Sequence, residues 1–96
     1  MGFSGSTHIA AIGPVLCKVG MGQLVSVSVN RKGLNGNTLT LYDSATIAGI
    51  GQAKVLALID LVNLTSTPLI YNVIVANGLV ADLENGTPGD VTIAWD

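Results

Sequence analysis

Alternation of apolar and hydroxyl-bearing residues on both sides of a glycine-rich turn is the feature that most limits what this chain can fold into. In the stretch QLVSVSVNRKGLNGNTLTLYD, the valines of VSVSV alternate with serines, and the leucines of TLTLYD alternate with threonines. A period of two places Val25, Val27 and Val29 on one face of an extended strand and the serines on the other. The stretch therefore predicts two strands joined by a loop at residues 30–37, where Asn-Gly favours a hairpin-type turn.

The other apolar runs are short as well, and turn residues separate them. NLTSTP and NGTPGD each end a run, and glycines end several others. Short runs bounded by Gly, Pro, Asn and Ser are typical of strands. The chain is therefore predicted to form about seven strands, at 15–19, 23–29, 38–43, 53–62, 69–75, 79–84 and 91–95.

The run AKVLALIDLV at residues 53–62 differs from the others because it is apolar on both faces. Its Ala, Lys and Leu content also suits a helix. We favour a strand because its neighbours are strands and a Thr/Ser/Pro segment follows it. Two-sided burial would make it a central strand of a sheet, or a strand that a partner covers.

Many short strands without a convincing helix predict an all-β fold, an antiparallel β-sandwich of jelly-roll-like type. Residues 1–13 lack clear alternation and are expected to form an extended N-terminal arm that ends at Pro14. Residues 14–96 are expected to form a single β-sandwich domain. In the last strand, Val91, Ile93 and Trp95 should share the inward face.

Charge is scarce in this chain, and that scarcity bears on its partners. Only 10% of the residues are charged, whereas an average soluble domain has about 25%. A surface with so little charge is typically covered by a partner. We therefore expect a homo-oligomer, with a trimer favoured over a dimer. No run approaches the roughly 20 apolar residues of a membrane-spanning helix, and the four cations are scattered, so neither a membrane nor a nucleic acid is expected as a partner.

Residues that could perform chemistry are few. His8 and Cys17 are the only residues of their types, and a Cys–His nucleophile pair is the one catalytic arrangement they would allow. Cys17 alternates with Val15 and Val19, however, which predicts a small buried thiol. Two such residues are too few for a zinc site. Neither a cofactor nor a metal is expected.

Carboxylates offer one further candidate. Asp82 and Glu84 share a strand face at a spacing of two residues. A glycosidase needs two carboxyl groups that face each other across a cleft, whereas two acids along one strand are typical of a solvated face. We therefore expect no catalytic residues, and the protein is not expected to be an enzyme.

Several segments together resemble a known family. CKVGMGQL, LTLYD, ALIDL, NGLV and the terminal GTPGDVTIAW occur in this order across residues 14–96. This order resembles that of small structural proteins encoded near the capsid genes of tailed bacteriophages. The resemblance implies a virion protein of the capsid cement or decoration type. Such a protein sits on the outer capsid surface after assembly in the bacterial cytoplasm and clamps neighbouring subunits of the major capsid protein.

Two other functions fit the same pattern of strands and loops. A head or tail fibre component would have the same fold. A lectin-like binding module would use the loops at residues 30–37 and 44–52 to hold a glycan.

Overall fold

Eight strands make up most of the chain. The computed structural model describes residues 5–63 and 68–96. The strands are β1 (Gly5–Ile9), β2 (Gly13–Val19), β3 (Gly22–Arg31), β4 (Thr38–Asp43), β5 (Lys54–Asp60), β6 (Leu69–Val75), β7 (Gly78–Glu84) and β8 (Asp90–Trp95). A single 3₁₀ turn, Ile50–Gln52, lies between β4 and β5. Within the described ranges, no helix has the length and apolar character needed to span a membrane.

The strands form two four-stranded sheets whose adjacent strands are all antiparallel. Sheet I has the order β1-β8-β3-β6, and sheet II has the order β2-β7-β4-β5. Strand β1 pairs with β8, β2 with β7, β3 with β6 and β4 with β5. The chain is thus a long hairpin rolled up so that successive hairpin pairs fall in alternate sheets, which is the jelly-roll arrangement. The predicted antiparallel β-sandwich is confirmed, with eight strands in place of about seven.

The core lies between the inner faces of the two sheets. Alternation places every second side chain inward, and Leu39 and Leu41 of β4 are fully buried, as predicted. The cluster of buried apolar residues consists of Ile9, Leu24, Val27, Leu39, Leu41, Ala57, Ile59, Leu61, Val75, Leu79, Ala81, Leu83, Val91 and Ile93.

Trp95 extends this core at the end of β8, on the same face as Val91 and Ile93, as the alternation predicted. Its indole Nε1 donates a hydrogen bond to Thr7 Oγ1 at 3.1 Å. Its ring packs over Gly5, where a Cβ atom would collide with it. The terminal strand therefore holds β1 in place through its one large aromatic side chain.

A bulge in β3 changes which valines face the core. The pairing of β3 with both neighbours shifts register between Leu24 and Ser26. Leu24 and Val27 are consequently both fully buried, whereas Val25 lies outside the core cluster. The predicted inward position of Val25 is wrong, because an extra residue in a strand reverses the alternation beyond it.

A second bulge, in β2, has the same effect on Val19. Leu16 pairs with Val80 and Lys18 pairs with Leu79, so Cys17 is the extra residue. Cys17 packs against the core as predicted. Val19 is 65% exposed, so its predicted position on the same face as Cys17 is wrong.

The N-terminal segment is more regular than an arm. Residues 5–9 form β1, which pairs along its whole length with β8, and Ile9 is buried opposite Val91. Irregular structure is therefore the wrong prediction for these residues, and residues 1–4 lie outside the described ranges. The GSTHI sequence has little strand character of its own, so pairing with β8 imposes the extended conformation.

Strand β5 occupies an edge of sheet II, where it pairs only with β4. Of the two positions predicted for the run at residues 53–62, the central one is therefore wrong, and cover by a partner stays a prediction. Ala57 and Ile59 face the core, but Val55 and Leu58 are 52% and 70% exposed. The strand buried on both faces is β7, in which residues 78–83 are all buried.

Asn37 joins the loops at one end of the sandwich. It is fully buried. Its Oδ1 accepts a hydrogen bond from Gly89 N at 3.0 Å, and its Nδ2 donates to the carbonyl oxygens of Glu84 and Asn85 at 3.0 and 2.9 Å. Its own carbonyl accepts from Leu61 N. One amide thus connects the β3–β4 loop to the β7–β8 turn.

We expect Asn37→Ala to lower the free energy of unfolding by about 2–4 kcal/mol, because it leaves one buried backbone N–H and two partly buried carbonyl oxygens without a partner. Asn30→Ala is the control. Asn30 bonds to Asp90 and Thr92 on an exposed face, so its loss should cost about 1 kcal/mol or less. Urea denaturation of both variants measures the difference, and equal midpoints would contradict the role given to Asn37.

Candidate interaction surface

The outer face of sheet II carries large exposed apolar side chains on both of its edge strands. Cross-strand pairs arrange its side chains in three rows, because residues opposite each other in a sheet share a face. The rows are Leu16–Val80–Tyr42–Val55, Pro14–Asp82–Thr40–Leu58 and Glu84–Thr38–Asp60.

Apolar side chains dominate the first two rows. Leu16 is 38% exposed, and Val55 and Leu58 on β5 are more so. Val80 lies between Leu16 and Tyr42 and is fully buried although it faces away from the core. These two rows thus form a largely apolar surface, of the kind that in folded proteins marks an interaction site.

A pair of carboxyl groups interrupts this surface. Asp82 is only 8% exposed, between Pro14 and Thr40, and Glu84 is half-buried. A hydrogen bond to Asp82, together with repulsion from its charge and with burial, raises the pKa of the Glu84 carboxyl. The prediction that the two acids share a strand face is confirmed. The prediction of a solvated face is wrong for Asp82, because the side chains on the neighbouring strands cover it.

The outer face of sheet I is different in character. Small and hydroxyl-bearing side chains occupy its rows, which are Ser6–Ala94–Ser26–Ile70 and His8–Thr92–Ser28. Among residues 5–63 and 68–96, only the edge strand β6 carries large exposed apolar side chains there, Ile70 at 63% and Ile74 at 73% exposed. The sandwich therefore presents one apolar face and one mainly hydroxyl face with an apolar margin.

A polar cluster on sheet I contains the only histidine. His8 Nε2 lies 2.5 Å from Asp90 Oδ1. Asn30 Nδ2 donates to the same Asp90 oxygen at 3.0 Å and to Thr92 Oγ1 at 3.1 Å. Hydrogen bonds from Asn30 and His8 lower the pKa of Asp90. The cluster lies on an open face, where it links β1, β8 and β3.

The other candidate nucleophilic residue, Cys17, lies away from this histidine. Cys17 packs against the core, and its Sγ lies 3.8 Å from the Val15 carbonyl oxygen. Burial raises the pKa of the Cys17 thiol, and Thr7 hydrogen-bonds to it. Because Thr7 and His8 are consecutive in β1, their side chains point to opposite faces of the strand. The structure thus does not bring His8 and Cys17 together.

Metal-binding groups are equally sparse. Within residues 5–63 and 68–96, no three side chains of His, Cys, Asp or Glu are grouped so that they could hold a metal ion. Asp43, at the end of β4, accepts hydrogen bonds from the backbone N–H groups of Ala76, Asn77 and Gly78. These bonds lower its pKa despite partial desolvation, and they stabilise the turn between β6 and β7.

The loops proposed for a lectin-like site lie at opposite ends of the sandwich, because β4 runs from one to the other. The loop at 30–37 contacts the β7–β8 turn, whereas the loop at 44–52 lies beside Asn77. An open groove of about 280 Å³ there is lined in part by Asp43, Ser44, Gln52 and Asn77. The two loops cannot contribute to one combining site.

The edges of the sheets are poorly suited to pairing with another strand. Strand β2 contains Pro14 and the bulge at Cys17, and β5 has an extra residue, Leu56, opposite β4. In β6, Asn72 has a φ of +50°, and β1 has only five residues. Prolines, bulges and short length are the features that prevent edge-to-edge association. Interactions through the faces are therefore favoured over interactions through the edges.

Comparisons of the chain with protein-family models, with curated proteins and with solved structures find no match.

We expect Glu84→Gln to raise the melting temperature at pH 7. The pKa of Glu84 is higher in the folded chain than in the unfolded one. The protonated carboxyl group therefore stabilises the fold fully below about pH 4, and this stabilisation is lost as the pH rises through the raised pKa. At pH 7 the repulsion from Asp82 is present, and the amide removes it. The gain should shrink as the pH falls toward 4.

Asp60→Asn should change the melting temperature at pH 7 in the opposite direction. Hydrogen bonds from the Asn63 side chain and from the backbone of Val62 and Asn63 lower the pKa of Asp60, so its ionised form stabilises the fold at pH 7 and this variant should melt earlier. Thermal melts of both variants across pH measure the effects. A Glu84→Gln variant that melts below the wild-type chain at pH 7 would refute the repulsion.

Proposed function

We propose that this protein is a non-enzymatic capsid cement or decoration protein of a tailed bacteriophage. On this proposal it binds the outer shell of the virion and stabilises contacts between subunits of the major capsid protein. The jelly roll is compatible with this proposal, since virus capsid proteins use the fold, but a fold by itself does not determine function. The resemblance of residues 14–96 to phage structural proteins is the reason for proposing a capsid cement or decoration protein in particular.

The apolar outer face of sheet II is the observation that carries the proposal. Leu58 and Val55 are exposed in the middle of an ordered strand, where they gain nothing from the chain's own core. Burying each such side chain against a partner is favourable by up to about 1.5–3 kcal/mol. A cement protein needs this kind of complementary surface, and it needs no reactive group.

Self-association uses a different surface on this proposal. Ile70 and Ile74 lie on the edge strand β6, on the outer face of the opposite sheet. We propose a homo-oligomer through this margin, with a trimer favoured over a dimer. A symmetric oligomer presents several copies of sheet II at once, and repetition multiplies modest contacts into strong binding.

Capsid binding is the direct test. We expect the protein to sediment at a fixed ratio with capsids that were prepared without it from the phage that encodes it. Val55→Thr combined with Leu58→Thr should weaken this binding about tenfold or more, because it removes exposed apolar area and keeps strand-forming side chains.

Met21→Ser is the matched control, because Met21 is 75% exposed in the turn before β3 and lies outside sheet II. It should bind as the wild-type chain does. A protein that never sediments with capsids would refute the proposal. Cryo-electron microscopy of the particle would distinguish a cement protein on the shell from a head or tail fibre component.

The oligomer has its own test. Analytical ultracentrifugation at micromolar concentration should show an assembly larger than a monomer, and Ile70→Thr with Ile74→Thr should dissociate it because both side chains lose their apolar contact. Val55→Thr with Leu58→Thr should leave the assembly unchanged. A wild-type chain that sediments only as a monomer would contradict self-association.

A further inference from the structure

We infer that the outer face of sheet II binds a protein surface that presents a lysine or arginine side chain to Asp82 and Glu84, beside apolar residues. This inference rests on the proposed function and specifies the chemistry of the partner: on a capsid, the contacted patch of the major capsid protein is basic on one side and apolar on the other.

The carboxyl pair lies beside the exposed apolar side chains of the face. Asp82 lies in the same row as the exposed Leu58 and next to the row that contains Leu16 and Val55. A partner that covers these apolar side chains also covers the two acids. Carboxylates that lose water without gaining a cation or hydrogen-bond donors are strongly unfavourable. A partner must therefore supply one of these at this point, and a cation is favoured because two neighbouring carboxylates repel each other.

The chain itself does not supply that charge. Lys18 Nζ lies 5.7 Å from the centre of the Trp95 ring, and Lys54 is at the far end of β5 near Asp43. Arg31 pairs across the sheet with Asp90 in sheet I, and Lys32 follows it in the loop. Among the described residues, neither Asp82 nor Glu84 forms an ion pair with any of these four cations.

The distribution of charged side chains also argues against a second copy of this chain as the partner of this face. The three rows of the face contain three carboxylates and no lysine or arginine. Two copies that met through this face would bury like charges together, which is unfavourable. The net charge of −2 also favours a basic partner. A divalent cation fits less well, because no third metal-binding side chain accompanies the pair within the described residues.

Repulsion between the two acids fits the same assignment. The raised pKa of Glu84 indicates that the free protein is less stable with both groups ionised. Natural proteins commonly retain such a destabilising arrangement where it contributes to function. A cation from the partner would relieve the repulsion on binding.

The test measures binding of the full chain to capsids prepared without this protein, for the wild type, Asp82→Asn, Glu84→Gln and the control Asp90→Asn. The control neutralises a carboxylate on the outer face of the other sheet, where His8 and Asn30 bond to it. We expect Asp82→Asn and Glu84→Gln each to weaken binding about tenfold or more and to flatten its dependence on NaCl between about 0.05 and 0.5 M. Asp90→Asn should change the affinity by less than about threefold.

Glu84→Gln is the decisive variant because it should fold at least as stably as the wild-type chain, so lost binding cannot be attributed to unfolding. Undiminished binding by Glu84→Gln, with wild-type binding present, would overturn the inference and leave the proposed function intact. Absent binding by the wild-type chain would overturn both. Self-association that disappears in Glu84→Gln would assign the face to a second copy and would also overturn the inference.

Discussion

Burial of the two inner sheet faces against each other is the constraint on which the rest of the structure depends. A chain of 96 residues has room for one core, and its single cysteine excludes an internal disulfide. Stability therefore comes from the cluster between the sheets, to which nearly every strand contributes. The bulge at Val25 keeps that cluster continuous, since it reverses the alternation at a point where β3 would otherwise turn Val27 and Val29 outward.

The closed core explains why the outer faces are free to carry function. Once alternate residues fill the core, the remaining positions are constrained only by their neighbours in the sheet. In sheet I, these positions hold serine, threonine and the polar cluster around Asp90. In sheet II, these positions form an apolar surface with two acids at its margin. The difference between the faces is not needed for folding, and this is why we relate it to partners.

The edges of the two sheets hinder association with other chains, whereas the faces are open to it. A jelly roll leaves four strands at sheet edges, and each is limited here by a proline, a bulge, an unusual backbone angle or short length. Association is thus directed to the faces, where side chains set specificity. Such a surface binds through many weak contacts, and the carboxyl pair adds discrimination by making a partner without a cation unfavourable.

The sequence by itself determined the fold class and most of the strands. Strong local signals, namely alternation in β4 and β8 and the Asn-Gly and Pro-Gly turns, predicted all-β structure and the inward positions of Leu39, Leu41 and Trp95. These signals depend on residues close together in the chain. The tertiary structure alone decided which strand lies at an edge, where each bulge falls, and that residues 5–9 pair with the last strand. It also decided that Asp82 is buried on an outer face, since Pro14 and Thr40, which cover it, are distant in sequence. Pairing partners are set by the global competition for burial, and no local pattern encodes that competition.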